Sequence, residues 1–313
     1  MKGSADVHLE LKNAGFGYQS LLVQGASAQL RLGELCLIVG SNGVGKTTIL
    51  KTLLGQIPLM EGAIDLLGTP LHQYSVKELA RHISVVFSSS PRESSLTVRD
   101  LIALGRFIHY PFYFSLTSKD QLYVQEIITQ LQLEPYAHLT LEKLSDGNLQ
   151  KAYIGRALAQ NTQLILLDEP TTHLDEANKI MILNLLRKLS REENKLVLFS
   201  SHDWRLAKEF SDTMMLVDQG ALLYGLTEDV LYARTQLLEP ILFDVSSSFV
   251  APRILAPAIF KELLYSTLQK HVEKDLSTFQ FTWNEPFWEV EGVSMHRKFT
   301  SFEDIVAFLN NSL

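Results

Sequence analysis

The sequence predicts an α/β protein built around a mostly parallel sheet, followed by a small α+β appendage. Three observations carry this. Short apolar runs of the buried-strand kind alternate with amphipathic helical stretches. A glycine-rich turn, "GSNGVGKT" (Gly40 to Thr47), stands between one such run and a helix. Composition then shifts after about Leu226.

Taken in order, "VHLELKN" alternates like a strand, and "GELCLIVG" reads as a buried strand leading through the glycine-rich turn into a helix beginning near Lys46. "EGAIDLLG" and "ISVVF" are further strands. "TVRDLIALGR" and "KDQLYVQEIITQLQ" are helices opened by a Thr or Ser cap. A helix follows in "KLSDGNLQKAYIGRALAQ" (Lys143 to Gln160), where Tyr153, Ile154, Ala157 and Leu158 share a face. Next come the strand of "QLILLDEP", a helix from about Asp175 to Leu189, and the strand "KLVLFSS". Ile182, Leu185, Leu186 and Leu189 form an apolar core stripe on that helix. "TMMLVDQGALLYG" is a hairpin turning at Gln219-Gly220. In the tail, a helix around Phe260, Leu263, Leu264 and Leu268 precedes two aromatic alternating strands, "TFQFTW" and "FWEVEG", broken at Asn284-Glu285-Pro286. A last helix starts near Ser301, with Asp304 placed for a capping box and Phe302, Ile305, Val306 and Leu309 on one side.

Composition narrows the function. The chain has 313 residues, 46% hydrophobic and 20% charged, which is ordinary for a globular protein. A net charge of −7 with dispersed acids argues against a nucleic-acid or anionic-membrane footprint. The single cysteine, Cys36, lies in a strand-like run and fits a reducing compartment. No stretch approaches the roughly 20 apolar residues of a membrane helix, and the first residues lack the apolar core of a signal peptide. Any membrane work is therefore expected to run through a partner chain.

"GSNGVGKT" matches G-x-x-x-x-G-K-[ST] in the required strand-to-helix setting. The backbone of Gly40, Ser41, Asn42, Gly43, Val44 and Gly45 would wrap phosphates. Lys46 would neutralise the β- and γ-phosphates, the Thr47 hydroxyl would bind Mg²⁺, and Thr48 would add a phosphate contact. "LILLDEP" delivers Asp168 and Glu169 to the carboxyl end of a strand, where α/β sheets place ligands. Asp168 would hold Mg²⁺, usually through water, and Glu169 would orient the attacking water. Alone, two acids after an apolar run could be a strand end facing solvent; downstream of a phosphate loop they carry more. His202, one of nine histidines, ends "VLFSSH" at the same sheet edge and is placed for a γ-phosphate contact. Ser145, Asp146 and Gly147 open a helix with no base or metal ligand beside them. A helix start suits an anion.

Phosphate loop, "LSDG", "LILLDEPTTHLD" and "SSH", in this order and at this spacing over about residues 6 to 228, resemble the ATP-binding subunit of ABC transporters. The resemblance implies a P-loop NTPase core over residues 1–228 with a helical subdomain at about 92–155, and a C-terminal extension over 229–313 of unassigned role. It implies ATP and Mg²⁺, and a head-to-tail dimer in which Ser145 and the Gly147 backbone contact the γ-phosphate held by the other copy. Tyr18 in "GFGYQS" resembles the aromatic residue that stacks on adenine, with Phe16 as a rival. Asp175 in "TTHLD" resembles the acid that communicates between the two ATP sites. "LTVRDLIALGRFIHYPF" resembles the helical subdomain of subunits serving importers of iron–siderophore, haem or cobalamin type. Membrane permease subunits, indirectly a periplasmic or surface solute-binding protein, and a cytoplasmic place at the inner face of the membrane follow from that; a nucleic-acid partner does not.

Two departures from the family stand out. Ser88, in "FSSSP", replaces the usual glutamine that touches Mg²⁺ and couples to the membrane subunit, and is too short for the same contact. The signature segment reads LSDGN instead of LSGGQ. Neither change touches Lys46, Asp168, Glu169 or His202, so hydrolysis is expected to survive. The alternatives are a soluble ATP switch of the same fold and a regulatory subunit that holds ATP without turning it over.

Overall fold

A computed structural model describes residues 7–88, 95–110, 115–202, 204–234, 249–272, 274–292 and 295–311. The chain forms two compact units, Met1–Thr235 and Gln236–Leu313.

Among its described residues the first unit is strung on ten strands: β1 (Val7–Gly17), β2 (Leu21–Arg31), β3 (Leu35–Val39), β4 (Glu61–Leu66) and β5 (Thr69–Pro70). They continue with β6 (Ile83–Val86), β7 (Leu164–Leu167), β8 (Leu196–Ser200), β9 (Thr213–Asp218) and β10 (Ala221–Leu226). Their order across the sheet is β5-β4-β1-β2-β10-β9-β3-β8-β7-β6. From β6 to β9 all neighbours run parallel, and every residue of β3, β7 and β8 is buried: each is a continuous run closed to solvent, as strands covered on both faces must be. The order places β3 beside β8 and β8 beside β7, so the loops after all three leave the same sheet edge.

The other end of the sheet differs from the mostly parallel expectation. β1 pairs antiparallel with β2 and with β4. β2 had no strand signature because a bulge near Gly25 shifts its alternation, burying Val23 and then Ala26, Ala28 and Leu30. The hairpin of β9 and β10 turns at Gln219 and Gly220, both with positive φ (46° and 80°), the conformation that makes glycine the natural second residue.

The described residues of this unit form eight α-helices: α1 (Lys46–Leu53), α2 (Val76–His82), α3 (Val98–Leu104) and α4 (Ser118–Gln130), then α5 (Asp146–Ala159), α6 (Glu176–Arg191), α7 (Trp204–Ala207) and α8 (Thr227–Tyr232). Thr97 and Thr117 close capping boxes with Asp100 and Asp120, which starts α3 and α4 where the sequence put their caps. α3, α4 and α5 pack on one another. Part of the expected subdomain at about 92–155, namely 92–94 and 111–114, lies outside the described residues. On α6 the stripe is Ile182, Leu183, Leu186 and Leu189; Leu185 is only half-buried, because the face that meets the sheet is rotated toward Leu183. α8, just past the shift in composition, packs on β9 and β10 within the first unit.

The second unit runs β11 (Arg253–Leu255), α9 (Ala258–His271), β12 (Gln280–Asn284), β13 (Phe287–Gly292), β14 (Met295–Phe299) and α10 (Phe302–Asn311). Its sheet has the order β11-β12-β13-β14, parallel between the first two strands and antiparallel after. The alternating aromatics are core: Phe281 and Trp288 are buried with Leu264, Leu268, Ile305 and Leu309, whereas Leu263 faces solvent. Ser301 Oγ donates to Asp304 Oδ2 (2.7 Å) and accepts from Asp304 N (3.1 Å), capping α10.

Candidate functional site

The site begins where β3 stops. Gly45 caps α1 without a side chain and at φ 116°, a backbone turn that an L side chain would strain. The loop it closes leaves Ser41, Asn42 and Gly43 exposed and Val44 and Thr48 half-buried. Lys46 is buried, and its Nζ donates to the carbonyls of Gly40 (2.8 Å) and Ser41 (3.2 Å), so the ammonium lies across the mouth of the loop. Unpaired N–H groups at the start of α1 and this buried cation together make an anion cradle.

From β7 comes Asp168, buried and fully bonded. Its Oδ2 accepts from Thr47 Oγ1 at 2.8 Å, and its Oδ1 accepts from Ser200 Oγ at 2.8 Å. The next residue, Glu169, takes positive φ (50°), and its N–H donates to the same Ser200 hydroxyl at 2.9 Å. Glu169 Oε2 accepts from Thr172 Oγ1 (3.0 Å) and lies 3.2 Å from His202 Nδ1 beyond the end of β8. Lys46, Thr47, Asp168, Glu169 and His202 are thus gathered at one sheet edge by three neighbouring strands. A cavity of about 560 Å³ lined by Arg187, Arg191 and Asp212 lies at the opposite edge, where β3 and β9 start, and is not part of this constellation.

Ser145 and Gly147 occupy a second place, the start of α5. Ser145 Oγ accepts from Asn148 N at 3.4 Å, which leaves the hydroxyl proton free to donate outward. Asp175 caps the neighbouring α6, its Oδ1 accepting from Asn178 N at 2.8 Å. The two aromatic candidates separate cleanly: Phe16 is buried in the core, and Tyr18 is 69% exposed. Ser88 is exposed just past β6; residues 89–94 beside it lie outside the described residues.

The sequence pattern of the ABC transporter family matches residues 23–172. The iron(3+)-hydroxamate import ATP-binding protein FhuC of Bacillus subtilis (strain 168) is 33% identical over 243 residues, which are 75% of this chain and 90% of that protein. The achromobactin transport ATP-binding protein CbrD of Dickeya dadantii (strain 3937) is 33% identical over 202 residues, 64% of this chain and 75% of that protein. The chain belongs to the ATP-binding subunits of ABC transporters. Among solved structures, a metal-chelate type ABC transporter in an inward-facing conformation superposes with a TM-score of 0.65 at 29% identity, covering 72% of this chain and 86% of that one. An ATP-binding cassette captured as a dimer in a post-hydrolysis state with ADP and Pi matches at TM-score 0.62 and 25% identity, covering 70% and 98%.

As an ABC cassette the chain is an ATPase, with the P-loop fold the sequence predicted. No helix among the described residues is long and apolar enough to cross a membrane. Sequence reasoning missed two residues of the site. Ser200 bridges Asp168 and Glu169, and its one signal was a small hydroxyl closing an otherwise apolar strand. Thr172 holds the Glu169 carboxylate and looked like any loop threonine.

Proposed function

We propose that this chain is the ATP-hydrolysing subunit of an importer for an iron chelate of the siderophore kind, working as a head-to-tail homodimer on the inner face of the membrane beneath separate permease subunits, which a solute-binding protein supplies from outside. The solute class is supported by FhuC, a subunit of iron(3+)-hydroxamate import, and CbrD, a subunit of achromobactin transport.

In this reading the loop Gly40–Lys46 holds the phosphates, Thr48 adds a hydroxyl, and Tyr18 stacks on adenine. Ser145 and the Gly147 backbone of a second copy close over the γ-phosphate, and Asp175 lies at the junction of the two sites. Thr47 and Asp168 offer two oxygen donors within 2.8 Å, the sparse set that Mg²⁺ accepts when phosphate and water complete its shell. Bound there, the ion would neutralise charge on the phosphates. Glu169 orients water for in-line attack on the γ-phosphorus, while Lys46 and His202 bear on the transferred phosphoryl oxygens. His202, 3.2 Å from Glu169, also restrains that carboxylate.

The observation that carries this reading is the Asp168–Glu169 pair, bonded to Thr47 on one side and facing His202 on the other. The test is ATP hydrolysis and ATP-dependent dimerisation of the chain beside Glu169→Gln. Turnover should fall about 10²–10⁴-fold in the variant while ATP still drives it to dimerise. A chain that binds ATP but never turns it over, even with permease supplied, would favour the regulatory role that Ser88 suggests.

A further inference from the structure

We propose that Asn178 is a positioning residue that couples the start of α5 to the start of α6, and through them one ATP site to the other. The inference rests on the dimeric function proposed for this chain and names the contact by which that dimer senses its γ-phosphates.

Three facts converge on this side chain. Asn178 holds Asp175 with both of its donors: its backbone N–H reaches Oδ1 at 2.8 Å, and its Nδ2 reaches Oδ2 at 3.0 Å. The same amide lies flat against Gly147. A methyl group at Gly147 would sit 2.9 Å from Asn178 Cγ and from Oδ1, too close for any real contact, so the first turn of α5 rests directly on the amide. Finally, Asp175 ends the short segment that begins at Glu169 and includes Thr172, whose hydroxyl holds the Glu169 carboxylate at 3.0 Å.

Those contacts form a continuous path from Gly147, through the Asn178 amide, to Asp175 and back along the segment to Glu169. Gly147 serves the nucleotide held by the other copy, whereas Glu169 serves the nucleotide held by its own. A phosphate that draws the first turn of α5 forward therefore moves a group bonded to the segment that sets Glu169. Charge gives Asn178 a second task. It stands between the Asp175 carboxylate and a helix start that must accept an anion, and its two donor bonds keep that carboxylate turned toward α6. A neutral amide is suited to this place; a carboxylate there would repel the incoming phosphate.

The test uses the full chain in the Glu169→Gln background, comparing Asn178→Ala, Asn178→Asp and the parent. ATP affinity of the undimerised subunit is measured first and is expected to stay within about twofold, since the phosphate loop is untouched; this also verifies folding. The ATP concentration that half-dimerises the protein should rise about tenfold for Asn178→Ala, equivalent to about 1.4 kcal/mol, and further for Asn178→Asp. Gly147→Ala alone should also impair dimerisation, and the same change in the Asn178→Ala background should cost less, because the methyl group then has room. Equal dimerisation in all three proteins, or strict additivity of the Gly147 and Asn178 changes, would overturn the role of Asn178 and leave the ATPase function standing. A Glu169→Gln parent that stays monomeric in ATP would overturn the dimeric function, and this inference with it.

Discussion

Thr47 and Asp168, 121 residues apart, are joined by a 2.8 Å hydrogen bond that reaches across β8, the strand lying between theirs. β8 itself fills the gap: Ser200, at its end, donates to the other Asp168 oxygen. Three parallel strands are thereby tied at the one edge where the phosphates are read to sit.

That tie predicts the behaviour of Ser200→Ala. The change strips a donor from Asp168 Oδ1 and an acceptor from Glu169 N–H, both at a buried hydroxyl. An orphaned buried polar group costs about 1–3 kcal/mol, and each kcal/mol lowers Tm by about 2–4 °C in a unit of this size. Thermal unfolding should show the drop, and turnover should fall with it because Glu169 loses its backbone anchor. An unchanged Tm and rate would show that the bridge carries no energy.

Tyr18 offers a test of nucleotide recognition. It is exposed at the turn between β1 and β2, and the β2 residues Leu22 and Val23 lie against Gly45 of the phosphate loop, which brings that hairpin alongside the cradle. Stacking a base on an aromatic ring is worth about 1–3 kcal/mol. Tyr18→Ala should weaken ATP binding by about 5- to 150-fold, and Tyr18→Trp should restore it. An equal loss of affinity for inorganic triphosphate would show that the ring does not read the base.

These cases mark what could be read along the chain. The buried runs of β3, β7 and β8, the Thr97 and Thr117 caps and the Gln219-Gly220 turn are local patterns, and local physics decides them. Ser200, Thr172 and Asn178 owe their roles to partners delivered by other elements or by a tight turn; beyond the small hydroxyl that closes the apolar run of β8 at Ser200, their immediate neighbours do not announce this. β2 was hidden for a different reason, since its bulge breaks the period that identifies a strand.

Cys36 is a reporter for opening of the first unit. It is completely buried in β3, and burial pushes its thiol up to about 12, so the reactive thiolate is scarce as well as inaccessible. In the native protein a thiol reagent should label it at the rate of global opening, and ATP should slow labelling by stabilising the fold. Fast labelling without denaturant, unaffected by ATP, would mean that β3 opens locally.

Asp120 makes part of the stability depend on pH. Burial works to raise its pKa, but donors from Thr117, Tyr110 and Arg106 outweigh it and hold the carboxyl well below its ordinary value of 3.8. With the folded pKa depressed, the unfolded chain takes up this proton first as pH falls. The stabilisation is therefore complete above about pH 5 and drains away below 3.8 toward the folded value. Asp120→Asn should cost about 1–3 kcal/mol at neutral pH, because a charge-assisted set of bonds at the start of α4 becomes a neutral one. The gap in unfolding free energy between variant and wild type should narrow steadily as the pH is lowered through about 4, measured by denaturant titration at fixed ionic strength. A gap that stayed constant across that range would mean that the Asp120 carboxylate is not preferentially ionised in the fold, and that its bonds to Arg106, Tyr110 and Thr117 act as packing alone.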